Sequence, residues 1–128
     1  MRKVYEHLSR REFLIKFFGL WNTLLTDDYT LTKKELQFLV EVLMLPEKFK
    51  YSRFSTAARK YLVKQFDYAG WKLSPQGFSR VIDSLSKKGI LVTDEDGVID
   101  VHHSLKKVID NNRKEYTFFV GFRLKEEE

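Results

Sequence analysis

The chain has 128 residues, 43% hydrophobic and 15% aromatic, which suits one domain with a sizeable core. It contains no Cys, which excludes disulfides, thiolate zinc sites and a Cys nucleophile, and no apolar run reaches the roughly 18 residues of a membrane span. The net charge of +5 is unevenly spread: residues 46–89 hold ten basic and three acidic groups, whereas residues 90–100 hold four acidic groups and no basic ones.

The opening MRKVYEHLSRRE is basic with no apolar signal core behind it, so a cytoplasmic chain is expected. A first helix is predicted over Arg10 to Leu25. Ser9 is its N-cap, Glu12 completes a capping box, and Leu8 with Phe13 form a hydrophobic staple. Phe13, Phe17, Leu20, Trp21 and Leu24 follow helical spacing, and Leu14, Phe18 and Leu25 widen the stripe. A second helix repeats this start with Thr32 as cap, Glu35 closing the box, and Leu31 with Leu36 as staple. Its buried stripe reads Leu36, Leu39, Val40, Leu43 and Met44, and Pro46 stops it. Residues 47–54 form a basic, aromatic loop.

A third helix is predicted from Thr56 to Phe66 with Ser55 as cap. Ala58, Tyr61, Leu62 and Phe66 turn to the core, while Arg59, Lys60 and Lys64 point elsewhere. The fourth helix has Ser74 as cap and Pro75 at its first position, where the missing N–H costs nothing. Phe78, Val81, Ile82 and Leu85 mark its apolar face, and Gly89 ends it. A hairpin follows, Ile90–Val92 and Val98–Val101 around an Asp-Gly turn. A short helix near Ser104–Asn111 and a strand over 115–124, with Tyr116, Phe118, Val120, Phe122 and Leu124 alternating, complete a single domain over residues 1–128.

The stretch from Leu73 to Gly97 resembles the second half of a winged helix-turn-helix and is similar to the MarR-like DNA-binding families. A capped helix leads to Leu85, Lys87, Lys88, Gly89, Ile90, Leu91 and the Asp96-Gly97 turn. With the upstream helices the resemblance covers about residues 30–101. It implies a mainly α, α+β fold with a β-hairpin wing, to which the C-terminal strand is added. It also implies double-stranded DNA as partner. Rotation by 100° per residue from Phe78 puts Gln76, Ser79, Arg80, Asp83 and Lys87 on the face away from the core. In the resembled family that face enters the major groove, so Arg80 would read guanine and Gln76 adenine. Gly77 would allow close backbone approach, and Arg59, Lys60, Lys64 and Lys72 would hold phosphates.

Three features depart from that pattern. The third and fourth helices are joined by about seven residues rather than three or four. The wing tip is acidic, with Asp94, Glu95 and Asp96, and phosphate would repel it. Asp83 adds to that repulsion. Other chemistry is not indicated. His102 and His103, read as strand neighbours on opposite faces, match no shared metal site. Asp94, Asp96 and Asp100 lack calcium-loop spacing, and no phosphate loop or nucleophile motif is present. No enzyme activity, cofactor or metal is therefore expected.

Two functions stay open. One is a DNA-binding protein regulating transcription or replication. The other is a structural or adaptor subunit of a large assembly such as a phage virion, docking on protein through the same module. The aromatic C-terminal stretch, with large rings on both faces, favours a homo-oligomer or complex subunit.

Overall fold

The computed structural model describes residues 6–24 and 29–109. Five α-helices and one two-stranded antiparallel sheet make up the described elements: α1 (Arg10–Leu24), α2 (Lys33–Leu43), α3 (Thr56–Tyr68), α4 (Pro75–Lys87), β1 (Leu91–Thr93), β2 (Ile99–Val101) and α5 (His103–Ile109). A 3₁₀ turn at Glu47–Phe49 lies between α2 and α3. The strand expected over 115–124 lies outside the described residues, as does Leu25 of the expected first helix.

Each helix start expected from a Ser or Thr cap is made by that side chain. Ser9, Thr32, Ser55 and Ser74 accept hydrogen bonds from the backbone N–H groups of Glu12, Glu35, Ala58 and Gly77, at 3.0–3.2 Å. The boxes at Ser9 and Thr32 are closed by the Glu12 and Glu35 carboxylates. Two helix ends share one geometry. The Trp71 N–H reaches the Phe66 carbonyl and the Gly70 N–H that of Asp67; Ile90 and Gly89 repeat this with Leu85 and Ser86. This is the Schellman closure. It places Gly89 at φ 76°, in the left-handed region where a side chain would be strained. At the first of these ends Trp71 folds back on Phe66, ring centroids 4.7 Å apart.

The core is organised around α2, which packs against α1, α3 and α4. Contact on several sides explains why its buried set is wider than a single stripe: Phe38 and Val42 are fully buried beside Leu39, Val40 and Leu43. Phe38 stacks on Phe66 of α3 (5.7 Å) and meets Phe78 of α4 edge-on (5.1 Å), joining three helices through one ring. On α1 the deepest residues are Leu14 and Phe18, whereas Leu20, expected in the stripe, is exposed. Phe13, Phe17 and Trp21 pack on the core's margin. α1 is tied to α2 by the Arg11–Glu41 ion pair and to the segment entering α2 by Asn22, whose amide bonds both the N–H and the carbonyl of Leu31 (2.7 and 2.9 Å).

Glu35 is the buried acid of this core. Its Oε1 accepts from the Thr32 N–H (2.9 Å) and the Lys88 ammonium (2.5 Å), and its Oε2 from the Ser84 hydroxyl (2.8 Å). Burial by itself pushes this carboxyl up. The Lys88, Thr32 and Ser84 donors outweigh it and hold Glu35 below its ordinary value of 4.5. A depressed folded value stabilises the fold fully above the ordinary value, and this contribution is lost as pH falls through the lower one. Glu35→Gln should cost about 1–3 kcal/mol at neutral pH. Its urea midpoint should also fall less than the wild type's between pH 7 and strong acid; an equal fall in both proteins would contradict this account.

Candidate nucleic-acid interface

α4 sets what the domain displays. Phe78, Ile82 and Leu85 are buried and Val81 is half-buried. The bonds from Ser84 and Lys88 to Glu35 anchor the helix along the flank that faces α2. With the apolar face seated and one flank anchored, the rotation of α4 about its axis is fixed. Gln76, Ser79, Arg80, Asp83 and Lys87 are accordingly all exposed, on the side the spacing indicated. Gly77 has an internal reason to be small. A Cβ there would come within 3.1 Å of Leu73 Cδ1 and 3.2 Å of Ser74 Oγ, the cap of α4 and the residue before it.

The expected phosphate contacts divide. Lys60 and Lys64 on α3 and Lys72 in the connection are exposed. Arg59 is half-buried and braces the fold: its Nε donates to the Phe54 carbonyl (3.0 Å), and its guanidinium lies 5.3 Å from the centre of the Phe78 ring. It therefore holds the start of α4 against the segment entering α3, rather than pointing outward with Lys60 and Lys64. The connection itself runs over residues 69–74 and turns through the Schellman closure at Gly70.

The hairpin pairs Leu91 with Val101, Val92 with Asp100 and Thr93 with Ile99. Its tip is built by an acid. Asp94 Oδ1 accepts from the N–H groups of Asp96 and Val98, each at 2.9 Å, and the Asp94 backbone bonds Gly97 and Val98. Gly97 supplies the positive φ of 80° that the tight return requires. Asp100 is likewise engaged, pairing with Lys106 of α5 (2.5 Å) and with Arg53 (3.5 Å). The hairpin's acids are thus not equivalent. Asp100 is paired with cations, Asp94 folds the turn while staying exposed, and Glu95 and Asp96 are exposed beside it. Val92 and Val98 are also exposed there.

The histidines sit differently from the expected strand neighbours. β2 ends at Val101, and His103 opens α5. The chain turns between them, so the two rings lie against each other at 4.3 Å instead of on opposite faces. His102 Nδ1 accepts from the Ser104 N–H (3.2 Å), acting at the start of α5. Among the described residues no group of three or more His, Asp or Glu side chains converges as a metal site, and no helix is long and apolar enough to cross a membrane.

Two groupings were not visible in the sequence: Glu35 with Ser84 and Lys88, and Arg53 with Asp100. By sequence Glu35 reads as a box residue and Lys88 as part of the Lys-Lys-Gly helix end, but their partners lie 49–53 residues away in the chain. Arg53 sits in a loop with no periodicity to mark it as buried. Compared with protein-family models, curated proteins and solved structures, the chain matches none.

The turn chemistry yields a direct test. Asp94→Ala removes the acceptor for two backbone N–H groups and should lower stability by about 1 kcal/mol. Glu95→Gln, at an exposed tip position, should change it by less than about 0.5 kcal/mol. Thermal melts of the two variants check the difference.

Proposed function

We propose that this chain is a small winged-helix DNA-binding protein acting in transcription or replication control, with α4 as its reading helix. The observation that carries the reading is the exposed polar face of α4, Gln76, Ser79, Arg80 and Lys87, on a helix whose opposite side is held by Phe38 and Glu35. The order of three helices followed by an antiparallel hairpin supports it, with α3 and α4 as the helix-turn-helix pair. So does the charge: the basic excess of residues 46–89 includes the exposed Lys60, Lys64 and Lys72, suited to phosphates beside that face. Arg80 offers a bidentate fork for guanine N7 and O6, and Gln76 a matching pair for adenine.

A second reading rests on the hairpin tip. Glu95 and Asp96, with the exposed Val92 and Val98 nearby, form an acidic and apolar edge that suits a protein surface better than a phosphate backbone. On that reading the chain is an adaptor or structural subunit of a larger assembly, such as a phage particle, and self-association belongs to it as well.

Salt-titrated binding to a duplex of random sequence separates the two. DNA binding predicts affinity that falls steeply with salt, by about 0.9 log units per log unit of salt for each phosphate neutralised. Arg80→Ala should relax sequence preference in a selection from random duplexes, and Lys64→Ala should weaken all sequences alike. Absence of binding by the wild type at low salt rejects this function and leaves protein docking.

A further inference from the structure

The hairpin tip is a poor phosphate contact, so an interface built on α4 needs its flanking cation from elsewhere. Residues 46–54 meet that need. The segment is a fixed loop. Successive backbone bonds run from Phe49 to Pro46, Lys50 to Glu47, Ser52 to Phe49 and Ser55 to Ser52. Phe49 is buried against Tyr61 of α3, ring centroids 5.7 Å apart, and Phe54 is buried in the core. Between them Arg53 is only 5% exposed, its guanidinium bonding the Lys50 carbonyl (2.8 Å) and reaching Asp100 of β2. A long cationic side chain turned inward here acts as a tether.

The tethers also place the loop. Arg53 joins it to the hairpin, and the Arg59 bond to Phe54 joins its end to the first turn of α4 through the Phe78 ring. The loop is therefore tied at its end to the buried Phe78 in the first turn of α4, and through Arg53 to Asp100 of β2. With its aromatic and arginine anchors inside, it turns outward Lys48 and Tyr51, the latter 87% exposed, with the Lys50 ammonium 5.7 Å from the Tyr51 ring centre. Glu47 is the exposed acid of the loop, and Asp100 is engaged by Arg53 and Lys106.

We propose that this loop, rather than the hairpin tip, makes the flanking contact to the DNA backbone. Lys48 and Lys50 neutralise phosphates, and the Tyr51 hydroxyl donates to a phosphate oxygen. This rests on the DNA-binding reading of α4 and adds a second contact point to it. Phosphate contacts of this kind fix register and orientation without reading sequence. The observations favour nucleic acid over a protein partner because the exposed Lys48 and Tyr51 stand beside the half-buried Lys50, whose ammonium lies near the Tyr51 ring, and the loop's apolar rings, Phe49 and Phe54, are already buried.

The experiment compares full-length wild type, Lys48→Ala/Lys50→Ala, Tyr51→Phe and Arg80→Ala on a duplex of random sequence and in a selection from random duplexes. Circular dichroism melts check that the substitutions leave the fold intact. The double variant should bind more weakly, with a salt slope shallower by about 0.9 for each lost phosphate contact. Tyr51→Phe should weaken binding by about tenfold, the loss of a hydrogen bond to a charged group. Sequence preference should be unchanged in both and altered in Arg80→Ala. If the wild type binds and Arg80→Ala alters preference while the loop variants keep full affinity and slope, the loop proposal falls and the α4 reading stands. If the wild type does not bind at low salt, both fall. Loop variants that bind DNA normally but lose a crosslinked protein neighbour assign the loop to protein docking and overturn the proposal.

Discussion

α2 grips α4 with two different interactions one turn apart. The Phe38 ring meets Phe78 edge-on, and the Glu35 carboxylate takes hydrogen bonds from Ser84 and Lys88. The first is non-directional burial and sets how closely the helices approach. The second is directional and sets which way α4 is turned, since a shift of one residue would carry Ser84 and Lys88 away from the acid by 100°. A buried carboxylate is costly unless every oxygen is satisfied. Glu35 is satisfied by three donors, one from its own cap and two from α4. Loss of that register would leave the charge uncompensated, so the same group that stabilises the core also penalises other orientations of the displayed face.

Arginine plays a comparable part around the α2–α3 connection. Arg53 and Arg59 lie in the most basic segment of the chain, yet both guanidiniums are turned to the protein: one toward Lys50 and Asp100, the other onto Phe78 and the Phe54 carbonyl. The planar, multi-donor group serves such bracing better than an ammonium. Lysine carries more of the outward charge, at Lys48, Lys60, Lys64, Lys72 and Lys87, with Arg80 on α4. The net charge of the segment therefore overstates its capacity for phosphate, because part of it is consumed within the fold. The hairpin shows the converse for acids. Asp94 folds the turn and Asp100, on β2, pairs with Arg53 and Lys106, so the hairpin is less repulsive than its four carboxylates imply.

Seen as residue counts, a basic block is followed by an acidic block. In space, Arg53 pairs with Asp100 across the two blocks, while lysines on α3, the connection and the loop stay exposed, as do Asp94, Glu95 and Asp96 at the hairpin tip. Such an arrangement would orient a polyanion toward α4 and away from the hairpin end.

The local grammar of this chain was legible without coordinates. Four Ser/Thr caps, Pro75 at a first helical position, Gly89 at a helix end and the Asp-Gly turn act within a few residues, so their geometry follows from backbone chemistry alone. The polar side of α4 was equally legible, because its apolar residues leave one orientation against a core. What stayed hidden depends on distance along the chain. That Phe38 is a three-helix hub, that Leu20 is exposed while Leu14 and Phe18 are deep, and that Arg53 and Arg59 point inward are decided by which helices pack on which sides. Periodicity reports that a helix has an apolar face. It does not report how many neighbours cover the helix, nor which distant charge a buried acid or arginine will meet, and those are settled only when the tertiary contacts form.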